Sequence, residues 1–396
     1  MNLEKLLRPS IVRLACLFLA SRLALLVVGM LATSLLPSGV GMQPGNLVWH
    51  QPVSPLLEIW ARWDSEWFLL IAAEGYEVEN LVSASGSVWE HWAVAGFLPL
   101  YPLLIRVLAP LFGGVGAGVL ISNVCLFLSL VLLERLVRLE MRDGPGETAG
   151  LVACAALLLY PSSLFLSAVY SESLFLVMSL GVFLTARKGR FAAAGVIAAF
   201  ATLTRPFGLL LAIPIVVEFW FSLRRRDVSD IGRRPKIWEV LWVGLIPLVL
   251  AGYMAFCRSV LGDPLAFIHH KTRWRGAMSG PWRAFVRWWE AGPTAHGAHG
   301  SMVELVIALV CLVMLVVMAR QLRLSYTLYT AAAMTVALGS TLWSFSRLAL
   351  TLFPFFMLIG MAWADGRRCL PTIYAFIGGS LGALFMALFA NWWWVG

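Results

Sequence analysis

Apolar runs of roughly 17 to 25 residues recur along most of this chain, separated by short polar intervals. As an α-helix, each is long enough to approach the span of a hydrocarbon core about 30 Å thick. The first covers about 11–36 and leaves at Pro37. Further spans are expected near 114–133, 148–168, 171–186, 191–204, 206–222, 238–260, 302–319, 325–343, 347–364 and 370–390. Several are short, which implies tilted or broken helices. Residues 97–112 contain Pro99, Pro102, Pro110 and Arg106, and are expected to form an interfacial or partly inserted helix rather than a crossing. The pattern predicts an all-α polytopic membrane protein, one domain over 1–396 with about 11 transmembrane helices. A long first extracytoplasmic loop over 37–112 carries interfacial helices, among them 56–73, and a second large loop covers 261–300.

Composition supports this. The chain is 60% hydrophobic and 13% charged, where soluble domains run about 25% charged. The net charge of +9 suggests a polyanionic partner, but its distribution argues against nucleic acid. Of the 30 Lys and Arg, 19 fall in the N-terminal segment and the connections near 134–147, 187–190, 223–236, 320–323 and 365–368. That is the positive-inside bias, with affinity for membrane lipids. It places those connections in the cytoplasm and is consistent only if 97–112 does not cross. The 37–96 loop, the turns near 169–173, 205 and 344–347, and the 261–300 loop then share the opposite, extracytoplasmic side.

The six Cys are scattered without CxxC spacing, so neither a disulfide framework nor a zinc site is expected. The first apolar run is too long for a signal-peptide core and is expected to be retained. The absence of an N-x-[ST] sequon weakly favours a bacterial source and its inner (plasma) membrane. No GxGxxG or Walker-type loop supports a nucleotide donor or ATP drive. No internal repeat suggests a transporter of duplicated halves.

Titratable residues crowd into the first loop. Asp64, beside Arg62 and Trp63, is placed to accept a proton from a sugar hydroxyl attacking an anomeric carbon. It reads equally well as a helix N-cap with Arg62 as partner. Trp63 suits sugar stacking or interfacial anchoring. Glu90 and His91 precede the turn FLPLYP; His91 fits a phosphate or hydroxyl ligand, a proton shuttle, or a solvated loop residue. Asp64, Glu90 and His91 also admit a divalent metal, although nothing in their spacing specifies one.

Tyr170, Ser171 and Glu172 interrupt an apolar run, where a carboxylate is costly unless paired. Glu172 suits either substrate orientation or the first turn of a capped helix. Arg205 and Arg347 are lone arginines at helix ends, with planar forks matched to phosphate oxygens, or else snorkelling to the interface. After Gly262-Asp263-Pro264, His269, His270, Lys271, Arg273, Trp274 and Arg275 gather within a few turns, fit for a phosphate-bearing lipid head or for the lipid surface. His296 and His299 read as loop residues.

Several segments, in order over about 60–355, resemble the PIG-V family of mannosyltransferases within the GT-C class. They are RWDSEWFLLIAAEGY, the EH pair before FLPLYP, AVYSESLF, LTRPFG, GDPLAF with Trp274 and Arg275 downstream, and SFSRLALTLFP. The resemblance implies a GT-C-like bundle, catalysis on the extracytoplasmic or ER-lumenal side, a polyprenyl-phosphate mannose donor, and inversion at the anomeric carbon. It implies that Asp64, in the first external loop, is the catalytic acid-bearing position, and that Glu172, Arg205 and Arg347 match further family positions. Two departures, the Ser/Gly-rich insert at 83–87 and AVAGFLP after the EH pair, border the acceptor side. A bacterial source argues against a GPI precursor as acceptor.

The resulting expectation is an inverting transfer of mannose or a related sugar from a polyprenyl-phosphate donor to a lipid or glycan acceptor. Asp64 is the base. Arg205, Arg347, Lys271, Arg273 and Arg275 hold the phosphate, and Trp63, Glu90, His91, Tyr170, Glu172 and Trp274 line the substrate. The phosphate is a good leaving group, so no cofactor or metal is strictly required. The alternative is a transporter or flippase for a lipid-linked sugar, which would distribute polar residues toward both faces. A non-catalytic lipid-binding scaffold would leave the Asp64 cluster unexplained.

Overall fold

A computed structural model describes residues 9–39, 53–77, 81–82, 88–89, 91–141, 144–224, 236–292 and 300–395. In chain order the helices are α1 (Pro9–Leu35), α2 (Pro55–Glu58), α3 (Ser65–Glu74), α4 (Leu100–Phe112), α5 (Gly114–Glu140), α6 (Gly146–Leu158), α7 (Glu172–Arg187), α8 (Phe191–Thr202) and α9 (Ala212–Arg224). They continue with α10 (Leu245–Leu261), α11 (Ala266–Arg275), α12 (Arg283–Ala291), α13 (Met302–Gln321), α14 (Leu324–Leu338), α15 (Phe345–Ala349), α16 (Pro354–Ala364) and α17 (Cys369–Ala390). The only ladder among the described residues is a two-residue antiparallel pair, Leu81↔Trp89 and Val82↔Val88, which no periodicity predicted.

Each expected span has a helical counterpart, and the protein is an all-α polytopic membrane protein. Six helical stretches among the described residues are long and apolar enough to cross a membrane: Ser10–Leu35, Gly114–Glu140, Pro206–Arg224, Ile237–Leu261, Met302–Gln321 and Cys369–Ala390. Their outward faces stay apolar and exposed, as at Leu19, Leu23 and Val313, which suits contact with lipid tails.

Three expected spans are broken. The 148–168 run is helical only to Leu158, because Pro161 disfavours helical backbone before it; the chain then turns through a 3-10 segment, Ser163–Leu166. The 325–343 run stops at Leu338. The 347–364 run splits into α15 and α16, with Pro354 at the first position of α16. The expected interfacial segment becomes α4, whose Tyr101 and Ile105 are buried while Leu103, Val107 and Leu111 face outward. Its Arg106 donates to the carbonyls of Ala72 (2.6 Å) and Ala73 (3.1 Å), satisfying the end of α3.

The breaks cluster at one end of the bundle. At the other end, the termini of α5, α7, α9 and the α13–α14 turn bring Glu140, Arg187, Glu218 and Arg323 together. Arg187 Nε lies 2.7 Å from Glu140, Arg323 Nε lies 3.0 Å from Glu218, and Ser325 and Tyr326 donate to Glu218 (2.6 Å) and Glu140 (2.9 Å). These charges are partnered where burial would otherwise be costly. The two ends therefore differ: one holds a closed ionic knot, the other a set of broken helices around an open polar cluster.

Candidate active site

The polar cluster begins at the turn before α3. Trp63 has φ 58°, a left-handed conformation costing about 1–3 kcal/mol in a non-glycine residue unless its surroundings fix it. They do. The Tyr170 hydroxyl donates to Arg62 O (3.0 Å) and accepts from Asp64 N (3.2 Å), spanning the turn. Arg62 Nε donates to Ala390 O (3.1 Å), its Nη1 meets Glu58 Oε1 (3.0 Å), and its guanidinium lies over the Trp392 ring. The Trp63 indole stands edge-on to Trp394, with ring centroids 5.4 Å apart. Arg62 is thus committed to Glu58 and the backbone. The N-cap reading of Asp64 is not realised, since its side chain makes no capping hydrogen bond.

Instead, Asp64 Oδ2 is 2.8 Å from Arg347 Nη1. Arg347 Nε is 2.9 Å from Glu172 Oε1, and that same oxygen is 2.5 Å from Arg205 Nη1. Glu172 is 1% exposed and bridges the two arginines; Asp64 keeps a quarter of its side-chain surface open. Ser171 and Glu172 do stand at the N-cap and first turn of α7, but Ser171 makes no side-chain cap bond and the Glu172 carboxylate turns to the two arginines.

Local sequence explains the placement. Ser122 Oγ donates to Ala168 O (2.8 Å) and Tyr101 O–H bonds to Ser122 Oγ (2.8 Å), fixing the turn that delivers Tyr170 and Glu172. Gly118 lets Val169 approach: a Cβ there would lie 2.6 Å from Val169 Cγ1. Arg205 is extended, as the residue before Pro206 should be, and Gly208 packs against the Thr202 backbone with no room for a Cβ. Buried Arg22 of α1 donates to Ser163 O (3.0 Å) and Ser167 Oγ (3.2 Å), anchoring the same loop from below.

Arg347 is positioned from behind. Glu304, near the start of α13, accepts from Ser346 N and Ser346 Oγ, both at 2.6 Å, and Ser162 Oγ donates to Ser346 Oγ (2.9 Å). The Arg347 guanidinium also faces the Tyr170, Phe165 and Trp394 rings. Sequence reasoning missed Glu304 because Ser301-x-x-Glu304 reads as a capping box, and missed Trp392 and Trp394 because they read as interfacial anchors.

From the second loop, α11 brings Lys271 and Arg275. Burial first, then the charges of Arg205, Arg275 and Arg347, push the Lys271 ammonium down to about 7. Arg275 Nη2 donates to Trp343 O (2.8 Å) and Thr341 O (3.2 Å), while its buried Nε has no partner among the described residues. The buried indole N–H groups of Trp63 and Trp394 also have none. Such donors are rarely left unmet in a folded protein, and ordered water or a bound group can serve them.

The structure therefore gathers Trp63, Asp64, Tyr170, Glu172, Arg205, Arg347, Lys271 and Arg275. Tyr170 is fully buried and acts on the backbone of the Asp64 turn. Arg273 is exposed on α11. Glu90 and the side chains of His91 and Trp274 lie outside the described residues, as do His296 and His299. Two imidazoles depart from the phosphate-binding expectation. His270 is buried against Phe97, with burial pushing it down to about 4, and His269 Nδ1 lies 2.6 Å from Asp263. Asp263 also accepts from Leu265 N (2.9 Å), so GDPLAF forms the joint between α10 and α11. Among the described residues, no group of three His, Cys, Asp or Glu is placed to hold a metal.

This architecture is that of the GT-C class of polytopic membrane proteins. It matches ArnT from Cupriavidus metallidurans bound to undecaprenyl phosphate with a TM-score of 0.50 and 13% identity, over 95% of this chain and 76% of that one. The chain belongs to the PIG-V mannosyltransferase family, whose sequence profile, described as Mannosyltransferase (PIG-V), matches residues 11–248. It is similar to GPI alpha-1,6-mannosyltransferase 2 of Rattus norvegicus, 32% identical over 173 residues, covering 40% of this chain and 32% of that protein. GPI mannosyltransferase 2 of Chaetomium globosum is 34% identical over 140 residues, 30% of this chain and 29% of that protein. The matched stretch thus spans about a third of the length of these curated relatives. Asp64, Glu172 and Arg205 fall inside the family match; Lys271, Arg275, Glu304 and Arg347 lie beyond it and reach the site through the fold.

Proposed function

We propose that this protein is an inverting glycosyltransferase that moves mannose from a polyprenyl-phosphate donor to a hydroxyl of a lipid or glycan acceptor on the extracytoplasmic face. The observation that carries the reading is one partly open carboxylate, Asp64, set against Arg347 at the edge of the cationic group Arg205, Lys271 and Arg275. The family's description supports mannose, and the undecaprenyl phosphate held by ArnT supports a lipid-phosphate donor.

In this reading the acceptor oxygen attacks the anomeric carbon from the face opposite the phosphate. Asp64 takes the hydroxyl proton as the new C–O bond forms. The old bond breaks with its electron pair on the phosphate oxygen. A single displacement inverts the carbon. Charge growing on the leaving phosphate is met by Lys271, Arg205 and Arg347, whose positions are set beforehand by Glu172 and Ser346. A phosphate leaves readily when its charge is met in this way, so the reaction calls for no cofactor. The membrane is the inner membrane in a bacterial cell, with the site facing outward, or the ER in a eukaryotic one, with the site facing the lumen.

The test is transfer of radiolabelled mannose from polyprenyl-phosphate mannose into a lipid extract of the source cells, with wild type beside Asp64→Asn. Product from wild type and none from the variant supports the reading. Product from both removes Asp64 as base. No product from either, with mannose or another sugar donor, favours transport of the lipid-linked sugar.

A further inference from the structure

A cleft of about 340 Å³ opens between α1, α5 and α7, far from Asp64. From Ser122, beside the Tyr170 turn, to Arg135 and Arg138 is roughly 20–24 Å along α5. The cleft is as large as small-molecule sites of about 300–1,000 Å³. Its lining divides by chemistry: Leu14 and Leu184 are buried apolar wall, while Arg135, Arg138 and Lys188 bring positive charge to the mouth.

The charge is not used up internally. Glu134, the one acid in the lining, is 2.9 Å from Arg138 Nη1 and is neutralised by it. Arg135 and Lys188 are exposed and have no ion-pair partner among the described residues. Beside Ile11 in the lining, Val12 of α1 is exposed and apolar, and further along the same helix Leu19 and Leu23 face outward. Two cations with no ion-pair partner among the described residues, at the rim of an apolar slot on a helix that also faces lipid, match a ligand with an anionic head and hydrocarbon tails. The slot sits at the end of the bundle where α5 and α7 finish in basic residues, the end that the positive-inside bias assigns to the anionic leaflet.

We propose that this cleft binds the phosphate-bearing head of an anionic phospholipid, with an acyl chain laid against α1. The site is separate from the sugar-transfer site and does not depend on its chemistry. An ionic head alone would find similar charge elsewhere on the basic surface; the depth of the cleft and its apolar wall are what favour a lipid over a free ion.

The experiment is native mass spectrometry and thermal unfolding of the full chain in a neutral detergent. Dioleoyl phosphatidylglycerol, dioleoyl phosphatidylcholine and inorganic phosphate are added in separate arms. Wild type is compared with Arg135→Gln/Lys188→Gln, which touches no ion pair among the described residues, and with Leu184→Trp, which fills the cleft while leaving its cations. The expected result is retention of one phosphatidylglycerol with a raised Tm in wild type, about tenfold or more weaker binding in the double variant, and loss of binding in Leu184→Trp. Equal retention of phosphatidylglycerol and phosphatidylcholine would overturn the proposal. So would phosphatidylglycerol binding unchanged in both variants, or a Tm rise from inorganic phosphate as large as that from the lipid. Should Leu184→Trp unfold, the double variant alone decides, since its substitutions are on the surface.

Discussion

Asp64 and Arg347, 283 residues apart, meet at 2.8 Å across two segments that are not regular membrane-spanning helix. The pair fixes the carboxylate's direction while leaving part of it open. On the proposed mechanism, replacing Asp64 by Asn keeps the shape and removes the base. The expected outcome is a fall of about 10²–10⁴ in kcat with Tm nearly unchanged, read by mannose transfer and thermal unfolding.

Glu304 supports Arg347 through Ser346. Glu304→Ala should leave the Ser346 N–H unpaired in a buried place, costing about 1–3 kcal/mol of stability and displacing α15. Ser346→Ala keeps the backbone bond and removes only the hydroxyl, so its effect should be smaller. If Arg347 placement is the role of Glu304, kcat falls in both variants in that order. A fall in stability alone, with kcat intact in the folded fraction, would refute it.

Tyr170 holds the strained Trp63 turn by one hydroxyl. Tyr170→Phe should cost about 1 kcal/mol and lower kcat more than it raises the donor KM, because it loosens the direction of Asp64 rather than a donor contact. Steady-state kinetics on the variant separate the two.

Lys271 sets a pH dependence. Its folded-state pKa is lowered from 10.5 to about 7, so it loses its proton in the native protein before it does in the unfolded chain. Between about pH 7 and 10.5 the unfolded state binds more protons, and this residue's contribution makes stability rise with pH. Under the proposed donor-phosphate role of Lys271, phosphate affinity runs the other way. A phosphodiester keeps its single charge across neutral pH, so donor KM should rise as pH increases from 6 to 8. In Lys271→Arg, where the charge persists, that rise should vanish.

Arg187 belongs to the ionic knot at the far end of the bundle. Arg187→Met leaves Glu140 without its nearest cation, at a cost of about 3–5 kcal/mol. Tm should drop sharply, while kcat measured well below the transition stays at the wild-type value.

Most of the architecture was legible because lipid imposes a simple rule: long apolar runs become helices and charges gather at their ends. The breaks at Pro161 and Pro354 were less visible, since an apolar run looks continuous whether or not its backbone is. Asp64, Glu172, Arg205 and Arg347 stood out as charges in apolar surroundings, but their partners did not. Arg62 beside Asp64 is an obvious pair in sequence, yet the left-handed Trp63 turns them apart, toward Glu58 and Arg347. Glu304 was hidden in an ordinary cap, and His270 among residues of another face of α11. Local sequence reveals which groups are costly to bury; only the fold decides which of them meet.

The contacts of Trp392 and Trp394 with Arg62 and Trp63 bear on the order in which the protein is made. The turn carrying Asp64 leaves the ribosome early, while its aromatic cover and Arg347 arrive only after most of the membrane helices have been inserted. Until then the Tyr170 hydroxyl holds the left-handed Trp63 turn without its aromatic cover. On the proposed function, a nascent or truncated chain lacking α17 and residues 391–395 would be inserted with Asp64 on a less firmly held turn, and full activity would report completed assembly of the bundle.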